Sequence, residues 1–266
     1  MKILVSLTFS LFIFSNSFSQ GKIDGFYKGR GKGSVVLGVG FEDPKSYFVG
    51  TERIDLGRNL YYINLYATYG ITDNLDINTS LPYLRSDNES DFQDISVMLK
   101  YRFFQSASEN GNLEFSLGTG LSTPISNYNI GGLNDIGQQA TIIETRAVAH
   151  YKWNSGWFAT LQSGFSFKFE ETPNSLPITF KTGKALSVWY YDVFYDYQYS
   201  FGGIDYRGTP RPQNFSALGV DYHKVGGTLY RSFSKNFGSA LNLSYIFGGR
   251  NTFQGFAYGL SIVYNL

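Results

Sequence analysis

The 266-residue chain has no cysteine, which excludes disulfides, thiolate metal sites, cysteine nucleophiles and a lipidated N-terminal cysteine. Histidine is nearly absent: His150 and His223 are the 2 present. Proline occurs 7 times, and no linker or block of like charge divides the chain. Lys+Arg 22 against Asp+Glu 21 leave a net charge of +1. With no dense basic run, nucleic acid is not an expected partner. Long apolar runs are also missing. The one candidate, residues 3–14, falls short of the ~20 apolar residues that a membrane-spanning helix needs. Lys2 precedes it and Ser17-Phe18-Ser19 follows it, so residues 1–19 read as a signal peptide cut before Gln20. Residues 20–266 then read as one exported domain without a transmembrane helix.

The chain is rich in Gly (30), Tyr (21) and Phe (24). These residues fall into period-two patterns, the mark of strands with two unlike faces. In the last eleven residues, FAYGLSIVYNL, every even position is large and apolar: Phe256, Tyr258, Leu260, Ile262, Tyr264, Leu266. Ala257, Gly259, Ser261 and Asn265 alternate with them, and Val263 is the exception. The same alternation recurs at Tyr61 to Tyr69, Leu75 to Tyr83, Ile95 to Phe103, Leu113 to Leu121, Trp157 to Phe169 and Trp189 to Phe201. With weaker segments included, the reading gives about twelve strands, near 33–42, 59–70, 75–84, 94–104, 113–122, 139–153, 157–169, 177–185, 188–202, 216–232, 238–248 and 254–266.

The connections sort by length. ITDN (71–74), 105–112, NSG (154–156), 185–187 and SKNFG (234–238) are short; 43–58, 85–93, 123–138, 170–176 and 203–215 are mostly longer, with the shorter GRNTF (249–253) in the same set. The two sets alternate along the chain. Short turns on one side, longer loops on the other and an even strand number describe an outer-membrane barrel. A soluble β-sandwich also alternates apolar with polar, but its strands run nearer five or six residues. Aromatics crowd the strand ends at Tyr69, Tyr83, Tyr101, Phe103, Trp153, Trp157, Phe169, Trp189, Phe201 and Tyr264, as in the girdles at two membrane interfaces. The expected fold is all-β: a transmembrane antiparallel up-and-down barrel of about twelve strands, both termini periplasmic, in the bacterial outer membrane. Its expected partners are outer-membrane lipid, the barrel-insertion machinery through the C-terminal strand, and a small-molecule solute.

Several segments resemble one family. YGITDNLDINTSLPY (69–83), YYDVFYDYQYSFGG (190–203), GVDYHKVGGTLYR (219–231), LSYIFGGRN (243–251) and FYKGRGKGSVVLG (26–38) are similar to outer-membrane proteins named for the meta-cleavage pathway of phenol degradation. That resemblance implies a single outer-membrane barrel passing small hydrophobic or aromatic molecules.

Strand parity turns many charges inward. The expected lumen or constriction cations are Lys100, Arg102, Arg146, His150, His223 and Arg231; the anions are Glu144, Asp192, Asp196 and Asp221. Asp192 and Asp196, facing His223 and Arg231 on the next strand, form the expected constriction. Interspersed signs predict weak ion selectivity, since an anion pore needs a ring of one sign. The same residues also suit a closed, salt-bridged barrel with a structural or loop-mediated binding role. Lys224 reads as outward, near the outer rim, with a bulge at Gly226-Gly227. No enzyme is expected. A hydroxyl nucleophile needs a base and an orienting group, a barrel lipase would place them on the lipid side, and both histidines read as inward. No metal or cofactor is expected, because no tight ligand spacing accompanies the histidines.

Overall fold

The computed structural model describes residues 23–87, 89–130, 135–209 and 215–266. The signal peptide read at 1–19 lies outside the described residues. The strands are β1 (Gly33–Val49), β2 (Glu52–Ile54), β3 (Leu60–Thr72), β4 (Leu75–Arg85), β5 (Ser90–Phe92), β6 (Asp94–Ser108) and β7 (Gly111–Pro124). They continue as β8 (Ile142–Trp153), β9 (Trp157–Lys168), β10 (Ser175–Ala185), β11 (Trp189–Ser200), β12 (Asp221–Ser232), β13 (Phe237–Arg250) and β14 (Phe253–Asn265). β2 and β5 are short strands that pair with the outer ends of β1 and β4. The other twelve form a closed antiparallel barrel.

Closure is made by β1 and β14, paired from Ser34↔Asn265 to Tyr47↔Phe253 with one irregularity at Pro44. Proline has no N–H to give the ladder, so a bulge is where it fits. Joining first strand to last removes both sheet edges, as hydrocarbon demands: each unpaired backbone group there costs several kcal/mol.

The alternation of β14 sorts as read. Leu260 and Ile262 are 48% and 57% exposed on the outer face, whereas Val263 is 0% exposed inside. Tyr69, Tyr101, Phe103, Trp153, Trp157, Phe169, Trp189, Phe201 and Tyr264 lie exposed on the barrel, whereas Tyr83 is half-buried. β1, expected over 33–42, runs on to Val49, and two further strands outrun their expected ends. β6 and β7 extend to Ser108 and Gly111, leaving Glu109-Asn110 as the turn. The strand expected from 216 begins at Asp221, because Phe215–Ala217 form a 3-10 turn.

The interior is layered. At the end carrying the short turns, Val36, Phe158, Ala185, Tyr190, Tyr230, Ala240 and Val263 pack together. At the other end, beneath the loops, Leu60, Leu84, Tyr128 and Ile136 form one apolar cluster and Tyr47, Val49 and Phe253 another. Between these ends the wall is lined mainly by polar and charged side chains, with one apolar cluster of Ile23, Met98 and Val148.

Candidate functional site

Residues two apart on a strand share a face, and this brings the lumen charges together. On β8, Arg146 lies 2.6 Å from the Glu144 carboxylate, to which Ser166 of β9 donates at 2.6 Å. On β11, Asp196 accepts from Thr179 at 2.7 Å and pairs with Lys224 at 3.1 Å, with the Tyr222 hydroxyl at 3.4 Å. Asp192 accepts from the Tyr190 hydroxyl at 2.5 Å and from the Thr228 N–H at 3.2 Å. Arg102 pairs with Glu114 at 2.9 Å. The His150 ring packs its Nδ1 2.7 Å from the Thr160 hydroxyl.

The expected lumen residues therefore divide. Lys100, Arg102, Glu144, Arg146, His150, Asp192 and Asp196 are directed into the barrel. Asp221, His223 and Arg231 are not; they belong to the opposite face of β12. Val225 and Leu229, 41% and 45% exposed, occupy that face, while Thr228 and Tyr230 are buried on the other. The lipid requirement of Val225 and Leu229 fixes the parity of the whole strand. Arg231 then sits at the short-turn end over the rings of Trp189 and Phe233. His223 sits near the loop end, its Nδ1 2.7 Å from the Tyr195 hydroxyl and its ring stacked on Tyr197. Asp221, at the rim, accepts from the Ser200 N–H.

The same parity corrects Lys224, which points inward to Asp196. The irregularity lies between His223 and Lys224, with Phe247 of β13 as the extra residue, rather than at Gly226-Gly227. Gly226 serves another purpose. A Cβ there would lie 2.5 Å from the Phe194 ring, so the missing side chain makes room for it.

The histidines are thus on opposite faces of the wall and cannot share a metal ion. Among the described residues no group of three His, Cys, Asp or Glu is placed to hold one. The outward positions around His223 are Tyr195, Tyr197, Val225, Tyr245 and Phe247. None supplies a serine or threonine nucleophile.

Sequence reading missed the segment ahead of β1, which enters the lumen. Lys100, 1% exposed, donates to the carbonyls of Asp24 and Phe26 at 3.2 and 2.5 Å. It also lies 3.5 Å from the Asp24 carboxylate and 3.7 Å from that of Asp76. Phe26 packs edge-on against His150, Phe158 and Tyr190. The Tyr27 hydroxyl donates to Ser116 at 2.8 Å, and its ring lies under Lys100 and Arg102. A cavity of about 640 Å³ opens beside it, lined by Phe26, Tyr27, Arg102, Glu114, Lys152 and Trp153 among others.

The loop end has its own cover. Gln138, in the loop after β7, donates to the carbonyls of Ser216 and Leu218 in the loop after β11. The Tyr128 hydroxyl donates to Asp94 at 2.7 Å and accepts from the Gln139 N–H. Burial, with Asp94 beside it, pushes the Tyr128 phenol above its ordinary range. Below these loops lies a cavity of about 450 Å³ lined by Tyr47, Tyr62, Ile136, Phe215, Leu218 and Phe253, with Glu42, Arg58 and Lys224 at its wall.

A closed barrel with an apolar outer belt, aromatic girdles and a charged interior defines a transmembrane β-barrel of the bacterial outer membrane. Residues 17–262 match the family described as "Putative MetA-pathway of phenol degradation", and the chain belongs to that family. The fold is shared with an outer membrane channel from Pseudomonas putida F1, at 13% identity and a TM-score of 0.71, over 92% of this chain and 99% of that one. It is shared also with the NanC porin, at 9% identity and a TM-score of 0.59, over 87% of this chain and 100% of that one. The KdgM porin aligns at 10% identity and a TM-score of 0.52, over 87% and 98%. A comparison with curated proteins gave no match.

Proposed function

We propose that this barrel is a passive channel for small hydrophobic or aromatic molecules and carries out no catalysis. The observation that carries the reading is a lumen lined by buried polar and charged side chains between two cavities. Asp76 Oδ1, Asn78 Nδ2 and Lys181 Nζ are buried in the lumen with no hydrogen-bond partner among the described residues. Buried polar atoms of this kind are satisfied by water, and a barrel that is merely a packed wall has no need of them. The outer vestibule joins aromatic surface to a few polar groups, the composition of a site that holds a small organic solute. The family match and the porin fold agree with this reading. Proteoliposomes supplied with sugars, amino acids, aliphatic acids and phenolic compounds test it. Faster entry of the aromatic and hydrophobic solutes than of sugars of equal size supports the proposal; uptake no better than empty liposomes for every class removes it.

A second reading has an observation in its favour. The loops are tied to one another across the mouth, which suits a closed barrel whose loops hold a partner. Electrical silence over many insertions, together with loop-dependent partner capture, would favour it.

A further inference from the structure

The 3 tryptophans of the chain, Trp153, Trp157 and Trp189, all lie at the short-turn end of the wall, on β8, β9 and β11. Two cations share that outer face. Lys184 on β10 stands between Trp157 and Tyr191 on the neighbouring strands, its Nζ 5.5 Å from the centre of the Trp157 ring. Arg231 on β12 stands opposite Trp189, its guanidinium 5.0 Å from the centre of that ring and 5.9 Å from that of Phe233. We propose that Lys184 and Arg231, with the rings beside them, form a docking site for the headgroup of an anionic phospholipid in the periplasmic leaflet. The site rests on the outer-membrane location and holds whether or not the lumen conducts.

The protein offers these two cations no anion. Among the described residues neither pairs with a carboxylate. From Thr145 to Leu266 the acidic residues are Glu170, Glu171, Asp192, Asp196, Asp205 and Asp221. Asp192 and Asp196 are buried in the lumen. Glu170, Glu171, Asp205 and Asp221 belong to the loop end, beyond β9 and β11 or at the first residue of β12. The lipid side of β9–β12 is therefore basic at its short-turn end. Short turns face the periplasm, where the leaflet is phospholipid. Indole rings settle at headgroup depth, and a cation held over such a ring is fixed at the same depth. Lys184 and Arg231 are two strand spacings apart, about 10 Å across the sheet and about 7 Å along it. Long side chains at that separation can close on one headgroup lying over Tyr191 and Trp189. Toward the loop end an apolar groove lined by Val193, Leu229, Leu241 and Leu260 continues from the pair and receives the acyl chains. A zwitterionic headgroup neutralises its phosphate with its own amine. An anionic one leaves a net charge for the two cations to balance, and that difference is the basis of selection.

Because every tryptophan lies in this girdle, intrinsic fluorescence reports which lipid occupies it. The full chain is reconstituted in vesicles of phosphatidylethanolamine and phosphatidylglycerol, with bromine on the acyl chains near the headgroup of one lipid and then of the other. At low mole fraction, phosphatidylglycerol should quench about threefold more strongly per molecule than phosphatidylethanolamine. High salt should weaken the preference. Lys184→Gln/Arg231→Gln should abolish it, and each single variant should lose part of it, with heat-modifiable gel mobility confirming a folded barrel. Lys235→Gln removes a cation of the turn outside the pair and should keep most of the preference. Equal quenching by the two lipids in the parent overturns the site, as does a preference that survives in the folded double variant or in both single variants. A loss in Lys235→Gln as large as in the double variant also overturns it, since that result means diffuse attraction to a basic rim.

Discussion

Lys224 and Asp196 meet at 3.1 Å inside the lumen, across the seam between β11 and β12. Their side chains are 22% and 5% exposed, so most of the pair is withdrawn from bulk water. Truncating one member leaves the other charge uncompensated, which costs more than the pair itself contributes. Lys224→Met is expected to destabilise the barrel by about 1–3 kcal/mol, the range for orphaning a buried polar group. Adding Asp196→Asn should recover part of that loss. Urea unfolding in lipid vesicles, followed by tryptophan fluorescence, measures both. A single variant as stable as the parent would mean that Lys224 reaches water instead.

The outward parity of β12 makes a prediction that separates wall from lumen. His223 lies among Tyr195, Tyr197 and Phe247 on the outer face. His223→Phe should therefore leave unit conductance and ion selectivity unchanged. Arg146, 2.6 Å from Glu144 in the lumen, should behave differently. Arg146→Gln removes one positive charge from the passage and should shift reversal potentials toward cation preference. The comparison is made by single-channel recording under a salt gradient. An altered conductance in His223→Phe, with none in Arg146→Gln, would invert the assigned faces.

How far the sequence could be read depends on how different the two faces of each strand are. In β14, Phe256 through Leu266 confront small or polar neighbours, and hydrocarbon outside with a crowded interior leaves one register. In β12 the outward set mixes His223 and Arg231 with Val225 and Leu229, so polarity and parity disagree. Arg231 is tolerated outside because its stem lies along Trp189 and Phe233 at the interface. The two branched apolar residues were the better guide, and following them would have turned Lys224 inward. The segment ahead of β1 was illegible for another reason. Periodicity reports regular elements, and residues 23–32 form none until Gly33. Their place is set by long-range contacts such as Lys100 to Phe26 O, which leave no local trace.

The lipid face itself is testable. Leu260 and Leu241 are direct partners across β14 and β13, and both are outward, at 48% and 57% exposure. Leu260→Arg is expected to cost roughly 2–4 kcal/mol if the position lies near the bilayer midplane. Leu260→Phe, which keeps an apolar surface, should stay within about 0.5 kcal/mol of the parent. Unfolding free energies in vesicles give the difference. If arginine were as well tolerated as phenylalanine, hydrocarbon would not surround this face.

The loop cover over the outer vestibule hangs on Tyr128, which is 2% exposed and bridges Asp94 to the backbone at Gln139. Its ring packs with Leu60, Leu84 and Ile136. Tyr128→Phe keeps that packing and removes the hydroxyl, so it loses two hydrogen bonds at about 0.5–1.5 kcal/mol each. It also leaves Asp94 without that donor. The loop should then open more often while the barrel remains intact. Limited proteolysis of intact cells reads this directly: cleavage between 125 and 140 should quicken by about tenfold or more, with the barrel's heat-modifiable gel mobility unchanged. Tyr128→Ala, which also removes the ring, should quicken it further. Cleavage at the parental rate in Tyr128→Phe would show that apolar packing alone holds the cover in place.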